Sequence, residues 1–198
     1  MLHFYFAFCY TLGLQNTKEK IDFVHLCFMT DPFMYKYDAI SEMSIKIIEK
    51  INSYGIKCKA LTKGILPIEL ASLSKKNEYG ITLISLNEEY RRTNEPGSAP
   101  YNSRINALKY LSDEGFKTWV SIEPYPTPNI IEQDFMEILE SVSFADQIIF
   151  GRLNYNKLVS EYAGYRSYYN DLACKVIDFC DARGIAWHIK TGTITENI

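Results

Sequence analysis

ITLISLNEEYRRTNEPGSAPYNSRINALKYLSDEGFKTWVSIEPYPTP, residues Ile81 to Pro128, decides the fold. Ile81-Thr82-Leu83-Ile84 is a short apolar run, partly β-branched, as a strand buried on both faces should be. It stops at Ser85. A polar segment with Pro96, Gly97 and Pro100 follows, and it cannot continue a sheet. A helix is expected from Tyr101, with Ile105, Leu108 and Leu111 on one face and Gly115 just past its last turn. Thr118 to Ile122 reads as the next strand, ending at Glu123-Pro124. Strand, helix and strand within about forty residues make a βαβ unit, from which parallel sheets are built.

The same alternation runs outward in both directions. Upstream, Phe23 to Phe28 reads as a strand ending in Met29-Thr30-Asp31-Pro32. A helix with Ile40, Met43, Ile47, Ile48 and Ile51 at helical spacing follows and stops at Gly55. Lys57 to Leu61 is the next strand, ending in Thr62-Lys63-Gly64, and Pro67 opens a shorter helix through Leu70 and Leu73. Downstream of the prolines 124, 126 and 128 comes a helix carrying Ile131, Phe135, Ile138, Leu139 and Val142. Gln147 to Phe150 is a strand ending in Gly151-Arg152-Leu153-Asn154. A tyrosine-rich connection then leads to a long helix with Leu172, Val176, Ile177 and Phe179 inward. Ile185 to Ile189 is the last strand, closed by Lys190-Thr191-Gly192.

Six strands with helices between them, repeating about every thirty residues, predict an α/β chain: a partial (β/α) barrel of the TIM type, its helices outside. An open doubly wound sheet is the competing architecture, but no glycine-rich phosphate loop follows the first strand. A complete barrel needs eight strands and about 250 residues, and this chain has 198. Residues 21–198 form the barrel unit, preceded by an apolar segment over residues 1–20. Within that segment, Leu2 to Leu14 is too short to span a bilayer and lacks the basic start and cleavage site of a signal peptide.

Composition excludes some classes. A net charge of −3 gives no general pull towards nucleic acid or anionic membrane. The five cysteines, Cys9, Cys27, Cys58, Cys174 and Cys180, form no C-x-x-C pair. Their odd number points to a reducing, cytoplasmic setting, with Cys27 and Cys58 as buried strand residues.

The strand ends carry the chemistry. Thr30-Asp31, Thr62-Lys63, Ser85, Glu123, Arg152-Asn154 and Lys190 fall on one rim, where parallel α/β folds keep their sites. Each is alone also a natural cap or turn residue; six together favour a small-molecule site. Lys63 and Lys190 suit a carboxylate or phosphate as compact point charges. Asp31 and Glu123 suit ribose hydroxyls or an ammonium group. Tyr125 and Tyr155, near the rim, suit stacking on a base or adenine ring, although tyrosine in such loops more often packs.

The series Thr30-Asp31-Pro32, Thr62-Lys63, Arg92 to Pro96, Ala99-Pro100, Arg104 to Leu108 and Ile122 to Pro128 resembles the radical S-adenosylmethionine proteins related to spore photoproduct lyase. The likeness runs from about Ile21 to Gly192. It implies that S-adenosylmethionine is held by Thr30, Asp31, Lys63, Ser85, Glu123 and Arg152. In that family a reduced [4Fe-4S] cluster splits the cofactor to give a 5′-deoxyadenosyl radical, which takes a hydrogen atom from substrate. A nucleic acid or nucleotide is the substrate class the resemblance suggests. Scattered basic residues, with Arg91-Arg92 the one adjacent arginine pair, give it little support.

One departure outweighs the matches. The family binds its cluster through a C-x-x-x-C-x-x-C loop after the first strand, and no such loop occurs here. The missing loop and the missing strands belong to the same end. The expectation is a chain lacking its first βα unit and inactive in the form given, with no metal ligands of its own. The competing reading is a cluster-free barrel that binds a nucleotide-like ligand, or a hydrolase or isomerase using Asp31, Glu123 and Lys63 or Lys190 as acid and base.

Overall fold

The structure, a computed structural model, describes residues 21–26 and 30–195. The segment 1–20 and Cys27, Phe28 and Met29 lie outside the described residues, and so do the expectations that fall on them. Six strands, β1 (Phe23–Leu26), β2 (Lys57–Thr62), β3 (Glu78–Thr82), β4 (Lys117–Tyr125), β5 (Gln147–Arg152) and β6 (Ala186–Ile189), form one sheet in chain order. Every neighbouring pair is parallel. Helices occupy the connections: α1 (Asp38–Asn52), α2 (Glu88–Asn94), α3 (Tyr101–Asp113), α4 (Phe135–Ser141), α5 (Lys157–Glu161) and α6 (Tyr165–Asp181). All strand C-termini therefore share one rim, and the expected partial barrel is what forms.

Alternation along the strands separates two faces. In β2, Cys58, Ala60 and Thr62 are buried beneath the helices, while Lys57, Lys59 and Leu61 face the other, concave side. The helix side holds the core: Tyr79, Ile81, Val120, Ile122, Ile148 and Phe150 from the sheet, packed by Ile48, Ile51, Leu108, Leu111, Leu172 and Val176. The concave side is polar. Glu78 accepts Lys57 and Lys59 at 2.7 and 2.8 Å, and the Phe23 ring lies under both ammonium groups. Trp119 lies flat over Gly80, where a Cβ would sit 2.3 Å from the indole, so glycine alone lets that ring floor the concavity. His25 meets Trp119 edge-on at 6.4 Å.

Several expectations are corrected. The third strand starts at Glu78 rather than Ile81 and ends at Thr82. The two lysines let a carboxylate sit inside a buried strand, and Leu83 adds one bond beyond its end, to the Ser121 carbonyl at 3.0 Å. The polar stretch after Ser85 contains α2, capped by Asn87, whose side chain accepts from the amides of Glu89 and Tyr90. Pro67 opens a 3₁₀ turn, Ile68–Ser72. On α1 the inward residues are Ser44, Ile48 and Ile51, while Met43 and Ile47 are exposed. Ile131 precedes its helix, because Asp134 is the cap that starts α4. A short helix, α5, sits inside the tyrosine-rich connection.

Candidate functional site

The rim is organised by a buried ion network that begins in α3. Tyr101, Arg104, Leu108 and Leu111 recur at steps of three and four, so Arg104 points into the core with the apolar residues. It is wholly buried. Its Nε donates to the Ala99 carbonyl at 2.8 Å, Nη1 to the Thr82 carbonyl at 2.9 Å, and Nη2 to Glu95 Oε2 at 3.1 Å. The guanidinium also stands 4.8 Å over the Tyr101 ring. Burial and the Glu95 charge push the Tyr101 hydroxyl far up, so it stays protonated. The other Glu95 oxygen lies 2.8 Å from Lys63 Nζ. Two cations thus share one carboxylate. Each nitrogen of Arg104 is committed, whereas Lys63 is 42% exposed, so Lys63 is the cation of the pair that reaches the rim surface.

Asp31 fixes the backbone beneath that lysine. Its carboxylate accepts from Thr62 Oγ1 at 2.5 Å, from the Lys63 amide at 2.7 Å and from the Phe33 amide at 2.9 Å. Thr62 Oγ1 in turn accepts from the Gly64 amide. Asp31 therefore joins the loop after β1 to the loop after β2, a holding role. Thr30 beside it is exposed. Ser85 is fully buried, and its Oγ accepts from the Asn87 amide at 3.0 Å, which sets the start of α2.

The far half of the rim carries a second ion pair. Residue 151 faces Glu123: a Cβ there would come within 3.0 Å of the Glu123 carboxyl. Glycine at 151 lets Glu123 reach from β4 across β5 to Lys190 Nζ, 3.3 Å away after β6. Thr82 and Ser121 are registered neighbours on β3 and β4, on the same face as Gly80 and Trp119. Arg152 follows Gly151 and turns to the opposite face, where its Nε donates to Asn154 Oδ1 at 2.7 Å. Lys63, Thr82, Ser121, Glu123 and Lys190 thus share the concave rim. Asp31 and Ser85 support it from the loops, and Arg152 stands outside it.

Glu95 and Arg104 are the buried pair beneath the rim that was missed as such in the sequence. The signal was present: an arginine occupying a core position in the helical spacing of α3 demands a buried acceptor. Of the two tyrosines weighed between stacking and packing, Tyr125 packs in the core between Phe135 and Phe150, and Tyr155 projects fully into solvent.

The chemistry of this donor set fits an amino acid joined to a nucleoside. Lys63 offers a cation for a carboxylate, Glu123 an acceptor for ammonium or hydroxyl groups, and Thr82 and Ser121 neutral hydroxyls between them. The described cysteines do not fit an iron–sulfur cluster. Cys58 is fully buried on the helix side, its thiol pushed up to about 12 by burial. Cys180 is buried in α6 with its thiol raised to about 11, and Cys174 lies on the same helix. Among the described residues no group of His, Cys, Asp and Glu is arranged to hold a metal ion, and no helix is long and apolar enough to cross a membrane.

Comparison with known proteins gives the following. The model of the Radical SAM superfamily matches residues 14–142. The uncharacterized protein ORF301 of Acidianus two-tailed virus is 30% identical over 103 residues, 50% of this chain and 34% of that protein. A spore photoproduct lyase variant with bound AdoMet and dinucleoside spore photoproduct superposes with a TM-score of 0.63 at 12% identity, over 89% of this chain and 64% of the other. SuiB of Streptococcus suis, bound to S-adenosylmethionine, gives a TM-score of 0.52 at 16% identity, over 81% and 36%. The chain spans about a third of the viral relative and less than two thirds of either enzyme.

Proposed function

The chain belongs to the Radical SAM superfamily, and we propose that it forms the cofactor-holding part of a spore photoproduct lyase-like radical S-adenosylmethionine enzyme. The observation that carries this is the uneven ion network, in which Lys63 and the buried Arg104 share the single carboxylate of Glu95. Glu95 is buried to meet Arg104, and Lys63 reaches the same carboxylate from the surface through one contact, which leaves its ammonium with donors for an anion. The cofactor's carboxylate is that anion, with Glu123 accepting from its ammonium or ribose hydroxyls. Asp31 positions the Lys63 backbone, Ser85 shapes the adjoining turn, and Trp119 closes the concavity below against water. Thr30, exposed beside Asp31, lies at the mouth of the same loop. Bound S-adenosylmethionine supplies a sulfonium whose reductive cleavage starts hydrogen abstraction from substrate. The described residues hold no ligand set for a cluster.

The test is calorimetric titration of S-adenosylmethionine into the purified chain and into Lys63→Ala. Loss of one charge-assisted contact costs roughly 1.5–3 kcal/mol, about ten- to a hundredfold in affinity. Equal affinities in two folded proteins would return Lys63 to a surface role.

A further inference from the structure

We propose that the apolar segment Leu2–Leu14 of this chain covers the outer flank of α1, at the β1 end of the sheet. The flank is read from the helix. Ser44, Ile48 and Ile51 point to the sheet. Asn52 points sideways towards β3: its side-chain nitrogen donates to Asn77 Oδ1 at 2.9 Å, and its Oδ1 accepts from Asn77 at 2.8 Å, just ahead of that strand. Met43 stands nine residues before Asn52, or two and a half turns, and so faces the opposite way, towards β1 and past it. Ile40 and Ile47 lie on the same flank, at steps of three and four from Met43, and Tyr54 continues it in the turn after the helix. Glu42, Lys46 and Glu49 fall on the solvent side, so no charge interrupts the four. Met43 is 54% and Ile47 38% exposed. β1 is the outermost strand, with β2 as its sheet neighbour among the described residues.

Three features commit this flank to the chain's own segment. The first is composition: LHFYFAFCYTLGL holds no Asp, Glu, Lys or Arg in 13 residues, an apolar run that gains from leaving water. The second is reach. Six polar residues, Gln15 to Lys20, join it to Ile21 just ahead of β1, and six residues span at most about 20 Å. Phe23 registers with Lys57, and α1 ends five residues before Lys57, so Ile21 and the end of α1 share the lower end of the sheet. Ile47 then lies about 7 Å and Met43 about 13 Å up the helix from Asn52, both within the tether. The third is the tether itself. It holds the segment at an effective concentration on the order of millimolar, well above that of a second copy in a dilute solution. The Radical SAM match begins at residue 14, so the segment stands ahead of it. Seated on the flank, it also shields the outer strand from pairing with another chain.

The experiment uses the native Cys9 inside the segment. Ile47→Cys and, separately, Met43→Cys on the flank and Glu42→Cys on the solvent side are made in the full chain carrying Cys174→Ser. Each protein is treated with a short bis-maleimide, and the fold is checked by circular dichroism. Digestion and mass spectrometry read which peptides are joined. The Cys9 peptide should join position 43 or 47 within one chain about tenfold more than position 42, at a yield that dilution leaves unchanged. Adding Phe6→Ser and Phe8→Ser should remove that preference and speed amide exchange over residues 40–54 about tenfold. Equal joining at the three positions overturns the proposal. So does joining only between chains, with a yield that falls on dilution, which assigns the flank to a second copy. Co-sedimentation of the unaltered chain with phosphatidylcholine vesicles, lost with Phe6→Ser and Phe8→Ser, assigns the segment to a lipid surface and overturns it too. These results stand apart from S-adenosylmethionine binding, because neither the flank nor the segment contains a residue of the rim.

Discussion

Replacing Arg104 by methionine keeps the length and apolar stem of the side chain and removes its charge and three donor contacts. Nothing can hydrate what is left, because Arg104 is wholly buried and the Glu95 side chain is only 2% exposed. Two carbonyls, those of Ala99 and Thr82, lose their arginine donor, and the Glu95 carboxylate keeps Lys63 alone. An unsatisfied buried acceptor costs about 1–3 kcal/mol, and a broken buried ion pair about 3–5 kcal/mol. These overlap, since the same desolvation is counted in both, so the expected loss is about 3–5 kcal/mol. Against a total stability of about 5–15 kcal/mol that is a large fraction. In urea, with a slope of about 2–3 kcal/mol per molar for a chain this long, the midpoint should fall by about 1–2.5 M. Glu95→Gln alone should also destabilise, because it leaves the guanidinium without its counter-charge. The double variant should lose less than the sum of the two, by about 2 kcal/mol or more. A midpoint shift below 0.5 M for Arg104→Met, or losses that simply add, would refute the claim that one buried network organises the rim.

Two further outcomes follow from the concave face. Gly80→Ala should cost about 1–3 kcal/mol by pushing Trp119 off its seat, with a shift in tryptophan emission towards the red; unchanged emission and stability would mean the ring has room to spare. Burial pushes the Glu78 carboxyl up, but its bonds to Lys57 and Lys59 and their charges outweigh this and hold it below its ordinary value of 4.5. A depressed carboxyl stabilises the fold above its unfolded pKa and loses that contribution as pH falls through the folded one. Glu78→Gln should therefore cost about 1–2 kcal/mol at pH 7, with the difference closing below pH 4.5, and a gap that stays constant down to pH 3 would contradict the pairing.

The strands were legible because buried parallel strands have one simple signature, an apolar run between breakers, and no other element imitated it at this spacing. Boundaries shifted where charge entered a strand. Glu78 looked like a connection because a lone carboxylate cannot be buried, and only the register with β2 shows the two lysines that permit it. The second helix escaped because its seven residues, EEYRRTN, bury no side chain. Its stability is in its ends: Asn87 at the start, two glutamates in the first turn and two arginines in the last. On α1 the isoleucines were too many for one face, and periodicity did not say which would lose. Met43 and Ile47 are the exposed ones because Ser44, Ile48 and Ile51 take the stripe towards the sheet.

The site was half legible for a different reason. Strand ends can be counted from sequence, but the direction of a side chain at a strand end depends on parity, and a single residue reverses it. Lys63 and Glu123 fall on the concave side; Arg152, read as their neighbour, falls on the other, because Gly151 takes the concave position in β5. The glycine gives up a side chain so that Glu123 can cross to Lys190. The rim therefore has two lysines, each held by a glutamate, but the two pairs are unlike. The Lys63 partner is buried and shared with an arginine, while the Lys190 partner is 28% exposed and hers to release. A ligand carboxylate at Lys63 joins a lysine whose own glutamate is already held by Arg104. An anion at Lys190 has to compete with Glu123 in water-accessible surroundings, where such pairs are worth little. Under the proposed function, that asymmetry makes Lys63, after β2, the firmer of the two anchors and leaves the β6 end of the rim adjustable.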